Sequence, residues 1–193
     1  MTTGPGVTLT TRDDVAYIRL EAPPLNILTC AMMRSIGDAL ERVAADSSLK
    51  AIAFTAQGKA FSARADVGEH SPDKAAELIA EFSRLFRLLG EAELPIVMAV
   101  GGAALGGGFE LVMLADVLLA SERAKFGQPE IRLGFFAPVG VAYLPALVGS
   151  AKAVEITCSG RTYMAREMLE CGLVSKVVPP ERSEEHTSEL QSR

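Results

Sequence analysis

The sequence predicts an α/β fold in which buried strands alternate with amphipathic helices. Two short uncharged runs, 51–55 and 96–100, are typical of strands that are covered on both faces. Segments with apolar residues at helical spacing follow them. This alternation indicates parallel strands joined by right-handed crossovers. A chain of 193 residues, 49% hydrophobic and 22% charged, is long enough to form one such domain.

The first half of the chain is predicted to hold a hairpin, two helices and a buried strand. Thr29 suits the N-cap of the first helix, because its hydroxyl can accept an unpaired amide N–H of the first turn. Pro72 suits the first turn of the second helix. In order, the elements are strands at 7–11 and 15–20, a helix from 30 to about 46, a strand at 51–55, a loop at 57–70 and a helix that begins at Pro72.

The second half continues the alternation. Residues 133–150 are uncharged, but Pro138 and Pro145 interrupt them, which favours buried core over a membrane span. The predicted elements are a strand at 96–100, a glycine-rich run at 101–108, a helix from 109 to about 115, a strand at 117–120, helices near 139–147, 151–158 and 165–170, and a strand at 174–178.

Composition excludes several classes of function. The net charge is −5 and no basic run stands out, which argues against a nucleic-acid partner, although local cations and amides could hold a small polyanion. The three cysteines lie far apart without a CxxC pair, so neither a disulfide framework nor a zinc site is expected. No signal peptide is visible. We therefore expect a cytoplasmic protein that uses no metal and binds neither nucleic acid nor membrane.

The three consecutive glycines Gly106, Gly107 and Gly108 lie between a predicted strand and a predicted helix. They do not form a dinucleotide-binding GxGxxG, because Leu111 stands at the last position, and no Lys-Ser/Thr follows as in a P-loop. Two interpretations remain. The glycines serve close packing or a turn, or they expose N–H groups at a helix N-terminus to a developing negative charge.

Two glutamates are candidates for proton transfer. Glu110 lies in a predicted helix (109–115) that is apolar on nearly every face, where burial would raise its pKa. The alternatives are a narrow solvent channel or an ion pair with Arg132 or Lys125. Glu130 follows a short strand and by itself is typical of a solvated loop. Its interest is a pairing with Glu110, because two carboxylates around one water tend to share a proton.

The loop at 60–68 consists mostly of small residues, which could present backbone N–H groups opposite the glycine run. Asp66 in this loop is expected to act as a turn or capping residue rather than as a catalyst. His70 is expected to be an exposed loop residue.

Together these segments resemble the crotonase (enoyl-CoA hydratase/isomerase) superfamily over about residues 7–180. The resemblance implies a crotonase-like spiral of ββα turns, an acyl-CoA substrate and a homotrimer or hexamer of the full-length protein. It implies no cofactor, since coenzyme A is part of the substrate. The residues that carry it are Ala60-Phe61-Ser62-Ala63-x-Ala65-Asp66, Ala104-Leu105-Gly106-Gly107-Gly108-Phe109-Glu110-Leu111, Ala115-Asp116, Phe126-Gly127-Gln128-Pro129-Glu130 and Gly172-Leu173-Val174.

The resemblance also implies roles for single residues. The backbone N–H groups of Ala65 and Gly107 would form an oxyanion hole for the thioester carbonyl. Glu110 and Glu130 occupy the positions of the two acid/base glutamates of the hydratases, which favours addition of water to an enoyl-CoA. The alternatives are a CoA-thioester isomerase or hydrolase and an inactive CoA-binding fragment. The residues expected to bind the substrate are Ala63, Ala65, Asp66, Val67, Gly68 and Gly107.

Two departures from the family pattern bear on activity. Arg64 stands where the family usually has glycine. If that position needs a positive φ, Arg64 is strained and tilts the Ala65 amide or crowds the CoA entrance, and Arg64→Gly should raise activity or CoA affinity. The alternatives are that Arg64 reaches a CoA phosphate or is a sequence error. Phe135 and Phe136 replace a more glycine-rich stretch. With the segment 66–70, they resemble the hydratases of cyclohexa-1,5-diene-1-carbonyl-CoA in anaerobic aromatic degradation, and they would suit a flat ring.

The C-terminal end differs from the rest of the chain. Residues 182–193 are polar, lack a core-facing period and look like a translated sequencing adapter. We therefore divide the chain into a crotonase-like core (1–181) and a non-native tail (182–193), with the family's C-terminal helical segment missing. On this hypothesis apolar surface stays exposed, and the chain is expected to be weakly active or prone to aggregate.

Overall fold

The computed structural model describes residues 2–66 and 68–179. The strands are β1 Thr2–Gly4, β2 Val7–Arg12, β3 Val15–Leu20, β4 Ala51–Ala56, β5 Ala60–Ser62, β6 Ile96–Val100, β7 Ala103–Leu105, β8 Val117–Ser121, β9 Lys125–Gly127, β10 Thr162–Met164 and β11 Lys176–Val178. The helices are α1 Cys30–Ala44, α2 Ala75–Gly90, α3 Gly107–Val112, α4 Pro138–Val148, α5 Ser150–Ser159 and α6 Ala165–Glu170, with 3₁₀ turns at Gly68–His70 and Pro129–Leu133.

The described strands form two sheets. The larger sheet has the order β1-β2-β3-β4-β6-β8-β11, and its strands from β3 onward pair in parallel. The smaller has the order β10-β9-β7-β5, in which β5, β7 and β9 are parallel. Along the chain, β4, β6 and β8 of the larger sheet are each followed by a strand of the smaller one. The chain therefore winds as a spiral of ββα turns, which confirms the predicted α/β fold.

Local sequence patterns predicted several elements correctly. Strands β2 and β3 form the expected antiparallel hairpin, and Asp13 and Asp14 adopt positive φ in its turn. Helix α1 begins after Thr29, whose hydroxyl accepts the Met32 N–H at 3.1 Å. Its predicted apolar face is buried against the larger sheet and helix α2. In each case a short-range pattern specified the element.

Four strands and two helix starts differ from the prediction. Strand β1 precedes the first predicted strand and was not expected. Strand β5 lies in the predicted loop 57–70, β7 lies in the glycine-rich run, and β10 precedes α6; each has only three residues, too few for a readable alternation. Helix α2 begins at Ala75 rather than Pro72, because Ser71 first forms a turn with Lys74 and Ala75. Helix α3 begins at Gly107 rather than Phe109, so two glycines form its first turn.

The core lies between the sheets and the helices, and helix α3 lies wholly inside it. Every residue of α3 is buried, and the Phe109 ring packs against Phe126 of β9 with centroids 5.7 Å apart. Among the described helices, none combines the length and apolar character that a membrane crossing requires. Within residues 2–66 and 68–179, no group of three or more His, Cys, Asp or Glu side chains could hold a metal ion.

Candidate active site

Each glycine of the run 106–108 faces a different part of the site. Gly106 has φ +55°, and a Cβ on it would lie 2.5 Å from Glu130 Oε1. A Cβ on Gly107 would lie 3.3 Å from the Ala65 Cβ and 3.4 Å from the Ala65 amide nitrogen. A Cβ on Gly108 would overlap the carbonyl oxygen of Ser62. The run therefore brings the end of β5 and the Glu130 side chain close to the start of α3.

The amides of Ala65 and Gly107 are free to bind a ligand. Ala65 forms a parallel bridge with Leu28, but the bonds of that bridge use its neighbours: the Leu28 N–H donates to Arg64 O at 3.0 Å, and the Asp66 N–H donates to Leu28 O at 3.1 Å. Gly107 is the first residue of α3, where helical amides have no partner within the helix. Neither N–H has an acceptor among the described residues. Both N–H groups are therefore available as hydrogen-bond donors to a ligand.

Glu110 is buried, with 2% of its surface exposed, and is held by the start of another helix. Its Oε1 accepts the N–H of Val139 at 2.7 Å and that of Gly140 at 3.0 Å, both in the first turn of α4. Burial raises the pKa of Glu110 to about 7, the Glu130 charge adds to the rise, and the two amides oppose it. Among the described residues Glu110 pairs with neither Arg132 nor Lys125, so the ion-pair alternative is wrong.

Glu130 lies on the 3₁₀ turn Pro129–Leu133 and is not the solvated loop residue that it resembled in isolation. Its Oε2 is buried and has no hydrogen-bond partner among the described residues. Burial raises its pKa above the ordinary value for glutamate. Because the Glu130 charge affects the pKa of Glu110, the two carboxyls lie within electrostatic reach of each other. Two such groups can hold one proton between them and exchange it with a third group.

Comparison with known proteins assigns the family. The family model described as enoyl-CoA hydratase/isomerase matches residues 10–193. The chain belongs to this family. A probable enoyl-CoA hydratase of Rhizobium meliloti is 41% identical over 175 residues, which is 89% of this chain and 68% of that protein. The cyclohexa-1,5-dienecarbonyl-CoA hydratase of Thauera aromatica is 39% identical over 157 residues, 81% of this chain and 61% of that protein.

Solved structures agree with this assignment. Enoyl-CoA hydratase subunit I of Geobacillus kaustophilus superposes with a TM-score of 0.92 at 33% identity, covering 99% of this chain and 76% of that one. An enoyl-CoA hydratase of Bacillus anthracis superposes with a TM-score of 0.92 at 27% identity, covering 97% and 75%. The chain thus has the crotonase fold, and it spans 61% to 68% of the two curated relatives above.

Most residues expected to bind the substrate lie around the two free amides. Ala63 follows β5 and donates its N–H to Leu25 O at 3.0 Å. Asp66 acts as the expected capping residue, since its Oδ1 accepts the Glu69 N–H at 3.1 Å, and Gly68 begins the 3₁₀ turn there. Val67 lies outside the described residues, as does the tail 182–193. The substrate-binding roles of all six residues and the non-native origin of the tail stay predictions.

The expectation that Arg64 is strained is wrong. The non-glycine residues with positive φ are Asp13, Asp14 and Asn26 within the described part of the chain, and Arg64 is not among them. Its carbonyl accepts the Leu28 N–H, and its side chain is exposed. A glycine would therefore relieve no backbone strain here. The backbone at position 64 of this chain is not left-handed, so it does not require a glycine.

The two phenylalanines expected near an acyl group lie just after the 3₁₀ turn Pro129–Leu133, which carries Glu130. The Phe135 N–H donates to the Glu130 carbonyl at 3.4 Å, and the Phe135 ring lies 6.3 Å from the His70 ring. Phe135 is 42% exposed and Phe136 60%. His70 is exposed as predicted, and its Nδ1 lies 2.6 Å from the Asp66 carbonyl. Phe135 and the loop that carries Ala65 thus face each other.

The α4 amides that hold Glu110 were missed at the sequence level. Pro138 at the start of an uncharged stretch is a recognisable N1 signal, and a helix that begins there exposes unpaired N–H groups. The sequence does not show that Glu110, 29 residues earlier than Val139, would accept them. That contact depends on how the two helices pack.

Burial of Glu110 predicts a pH-dependent stability. Its pKa rises from 4.5 to about 7 on folding, so the folded chain binds the proton more tightly than the unfolded chain. The resulting stabilisation is complete below about pH 4.5 and is lost as pH rises to about 7, a change of roughly 3 kcal/mol. We expect the free energy of unfolding, measured with urea between pH 5 and 8, to fall with rising pH in wild type and to fall less in Glu110→Gln. Parallel curves for the two proteins would contradict it.

Proposed function

We propose that this protein is a hydratase that adds water across the α,β double bond of an enoyl-CoA thioester. One observation carries the proposal: the buried Glu110 and the partly buried Glu130, both with raised pKa values, interact beside two backbone amides that come from separate turns and lack acceptors among the described residues. The names of the relatives support it, since several are described as enoyl-CoA hydratases. Because the chain spans about two thirds of those proteins, the activity of the whole protein belongs to this proposal.

The proposed reaction uses the site in three parts. The Ala65 and Gly107 N–H groups donate to the thioester oxygen, which withdraws electrons from the β-carbon and stabilises the enolate that follows attack. One glutamate takes a proton from the attacking water, whose oxygen bonds to the β-carbon. The other gives a proton to the α-carbon. The sum adds H and OH, so no oxidant or reductant is needed, and we propose no cofactor beyond the CoA of the substrate.

We further propose a flat cyclic dienoyl group as the acyl part of the substrate. The Thauera aromatica relative is named for cyclohexa-1,5-dienecarbonyl-CoA. Phe135 is bonded through its backbone to Glu130 and, with Phe136, supplies exposed aromatic surface where a planar ring could stack. A cytoplasmic homotrimer or hexamer of the full-length protein completes the proposal.

A side-by-side assay tests both the hydratase activity and the proposed cyclic acyl group. Crotonyl-CoA and cyclohexa-1,5-diene-1-carbonyl-CoA are offered to the protein, and loss of the conjugated double bond is followed by absorbance. Turnover of either substrate supports the hydratase. A kcat/KM at least about tenfold higher for the cyclic substrate supports the proposal of a cyclic acyl group, and a higher kcat/KM for crotonyl-CoA rejects that proposal. Release of free CoA thiol would indicate a hydrolase, a shifted double bond an isomerase, and binding without reaction a CoA-binding fragment.

A further inference from the structure

The loop that carries Ala65 is tied to the start of helix α1 by a carboxylate. Glu69 lies in the 3₁₀ turn Gly68–His70, and its Oε2 accepts the backbone N–H of Cys30 at 2.7 Å. Cys30 is the first residue of α1. The two residues are 39 positions apart in the sequence, so this bond fixes the loop to a different element of the fold.

Helix α1 needs an acceptor at this position. Its first turn contains no acidic residue of its own, and its N-cap Thr29 accepts the N–H of Met32 through its hydroxyl and that of Met33 through its carbonyl. The Cys30 N–H is therefore left for Glu69, whose negative charge also complements the positive end of the helix dipole. The Cys30 thiol contacts the same carboxylate, and burial together with this hydrogen bond raises the pKa of the thiol to about 11. A charge-assisted bond of this kind is among the stronger hydrogen bonds in proteins.

Two further hydrogen bonds join this loop to Leu28, one before Ala65 and one after it. The Leu28 N–H donates to Arg64 O, and the Asp66 N–H donates to Leu28 O. Leu28 and Cys30 belong to the same short segment that enters α1, so this segment bonds the chain on both sides of Ala65. The bridge through Leu28 restrains the backbone at Arg64 and Asp66. The Glu69 bond joins the 3₁₀ turn Gly68–His70 to the start of α1.

We propose that Glu69 is a positioning residue that keeps the Ala65 N–H aimed at the acyl carbonyl. The proposal rests on the proposed function, because only an acyl-CoA substrate places a carbonyl oxygen between Ala65 and Gly107. Glu69 itself does not touch the reacting atoms. Loss of Glu69 should lower kcat more than it changes KM. A displaced donor weakens transition-state stabilisation, while the rest of the CoA-binding surface stays intact.

The test compares Glu69→Ala and Glu69→Gln with a matched control. Glu69→Gln keeps an oxygen that can accept the Cys30 N–H, whereas Glu69→Ala removes it. The control is Glu77→Ala, which deletes an exposed carboxylate that also contacts α1, through Arg34 at 2.9 Å, but not the loop. Three quantities are measured: amide hydrogen exchange of residues 64–70, kcat and KM for enoyl-CoA hydration, and the absorbance of bound cinnamoyl-CoA, which shifts to longer wavelength when its carbonyl accepts stronger hydrogen bonds.

For Glu69→Ala we expect faster exchange in residues 64–70, a kcat lower by roughly 10- to 100-fold, a KM within about threefold of wild type, and a smaller absorbance shift. Glu69→Gln should stay close to wild type in exchange, in kcat and KM, and in the absorbance shift. Glu77→Ala should match wild type in all of these. Unchanged exchange in Glu69→Ala overturns the inference, as does faster exchange with unchanged kcat and absorbance shift. If wild type neither hydrates an enoyl-CoA nor shifts cinnamoyl-CoA, the proposed function fails, and the exchange data still decide whether Glu69 anchors the loop.

Discussion

Replacing Glu110 by glutamine should reduce kcat for enoyl-CoA hydration by roughly 10²- to 10⁴-fold, the range expected when one acid/base group is lost. The substitution nearly preserves shape, and the glutamine oxygen can still accept the N–H groups of Val139 and Gly140 that the carboxylate accepts now. It removes the proton that a buried group with a pKa of about 7 can exchange near neutral pH. The measurement is kcat together with the dissociation constant of an unreactive acyl-CoA, which should stay within about threefold of wild type.

Glu130→Gln should cause a loss of similar size, because each glutamate handles a different proton of the same addition. The double variant should lose little more than either single variant, since groups that act as a unit are strongly non-additive. Glu91→Gln, an exposed carboxylate that pairs with Arg87, serves as the control and should leave kcat unchanged. If one glutamine variant keeps activity within about tenfold of wild type, the two-glutamate mechanism fails and a reaction that needs only one of them is favoured.

Sequence patterns predicted the fold where a local signal was strong. The hairpin β2–β3 is specified by β-branched runs around Asp13 and Asp14, and helix α1 by Thr29 and an apolar face. The smaller sheet was not predicted, because its three-residue strands have no period of their own and form only by pairing with strands distant in the chain. The alternation between two sheets is thus a property of long-range pairing.

The candidate site shows the same division between local and long-range information. Burial of Glu110 could be predicted from its apolar helix, whereas Glu130 looked solvated, because nothing local shows that it packs against Gly106. The role of Glu69 depends on the distant Cys30 amide and could not be found from its own neighbours. Arg64 was predicted to be strained by comparison with a family pattern, but its backbone takes an ordinary conformation. Residue identity suggested the chemistry, and tertiary packing decided which partners each group has.

Gly108→Ala should lower both stability and activity, although alanine is the better helix former. In an unstrained helix this substitution would stabilise by about 1 kcal/mol. At position 108 the new Cβ would overlap the Ser62 carbonyl oxygen and lie 2.7 Å from the Ser62 carbonyl carbon. Ser62 cannot simply move aside, because its strand β5 is paired with β7. Overpacking costs about 1–3 kcal/mol, so the net effect should be a lower melting temperature, by a few degrees.

The loss of activity should exceed what the loss of stability explains. Relief of the overlap requires α3 and β5 to separate. Helix α3 carries the Gly107 amide, and β5 leads into the loop that carries the Ala65 amide. A shift of one donor by a fraction of an ångström should reduce kcat by at least about tenfold. Gly90→Ala is the control, since it also adds a Cβ to a helix but meets only the Tyr143 hydroxyl at 3.3 Å, the end of a side chain that can move. Equal melting temperatures and equal kcat values for both variants would mean that α3 and β5 tolerate separation, and that the spacing of the two amides does not control the reaction.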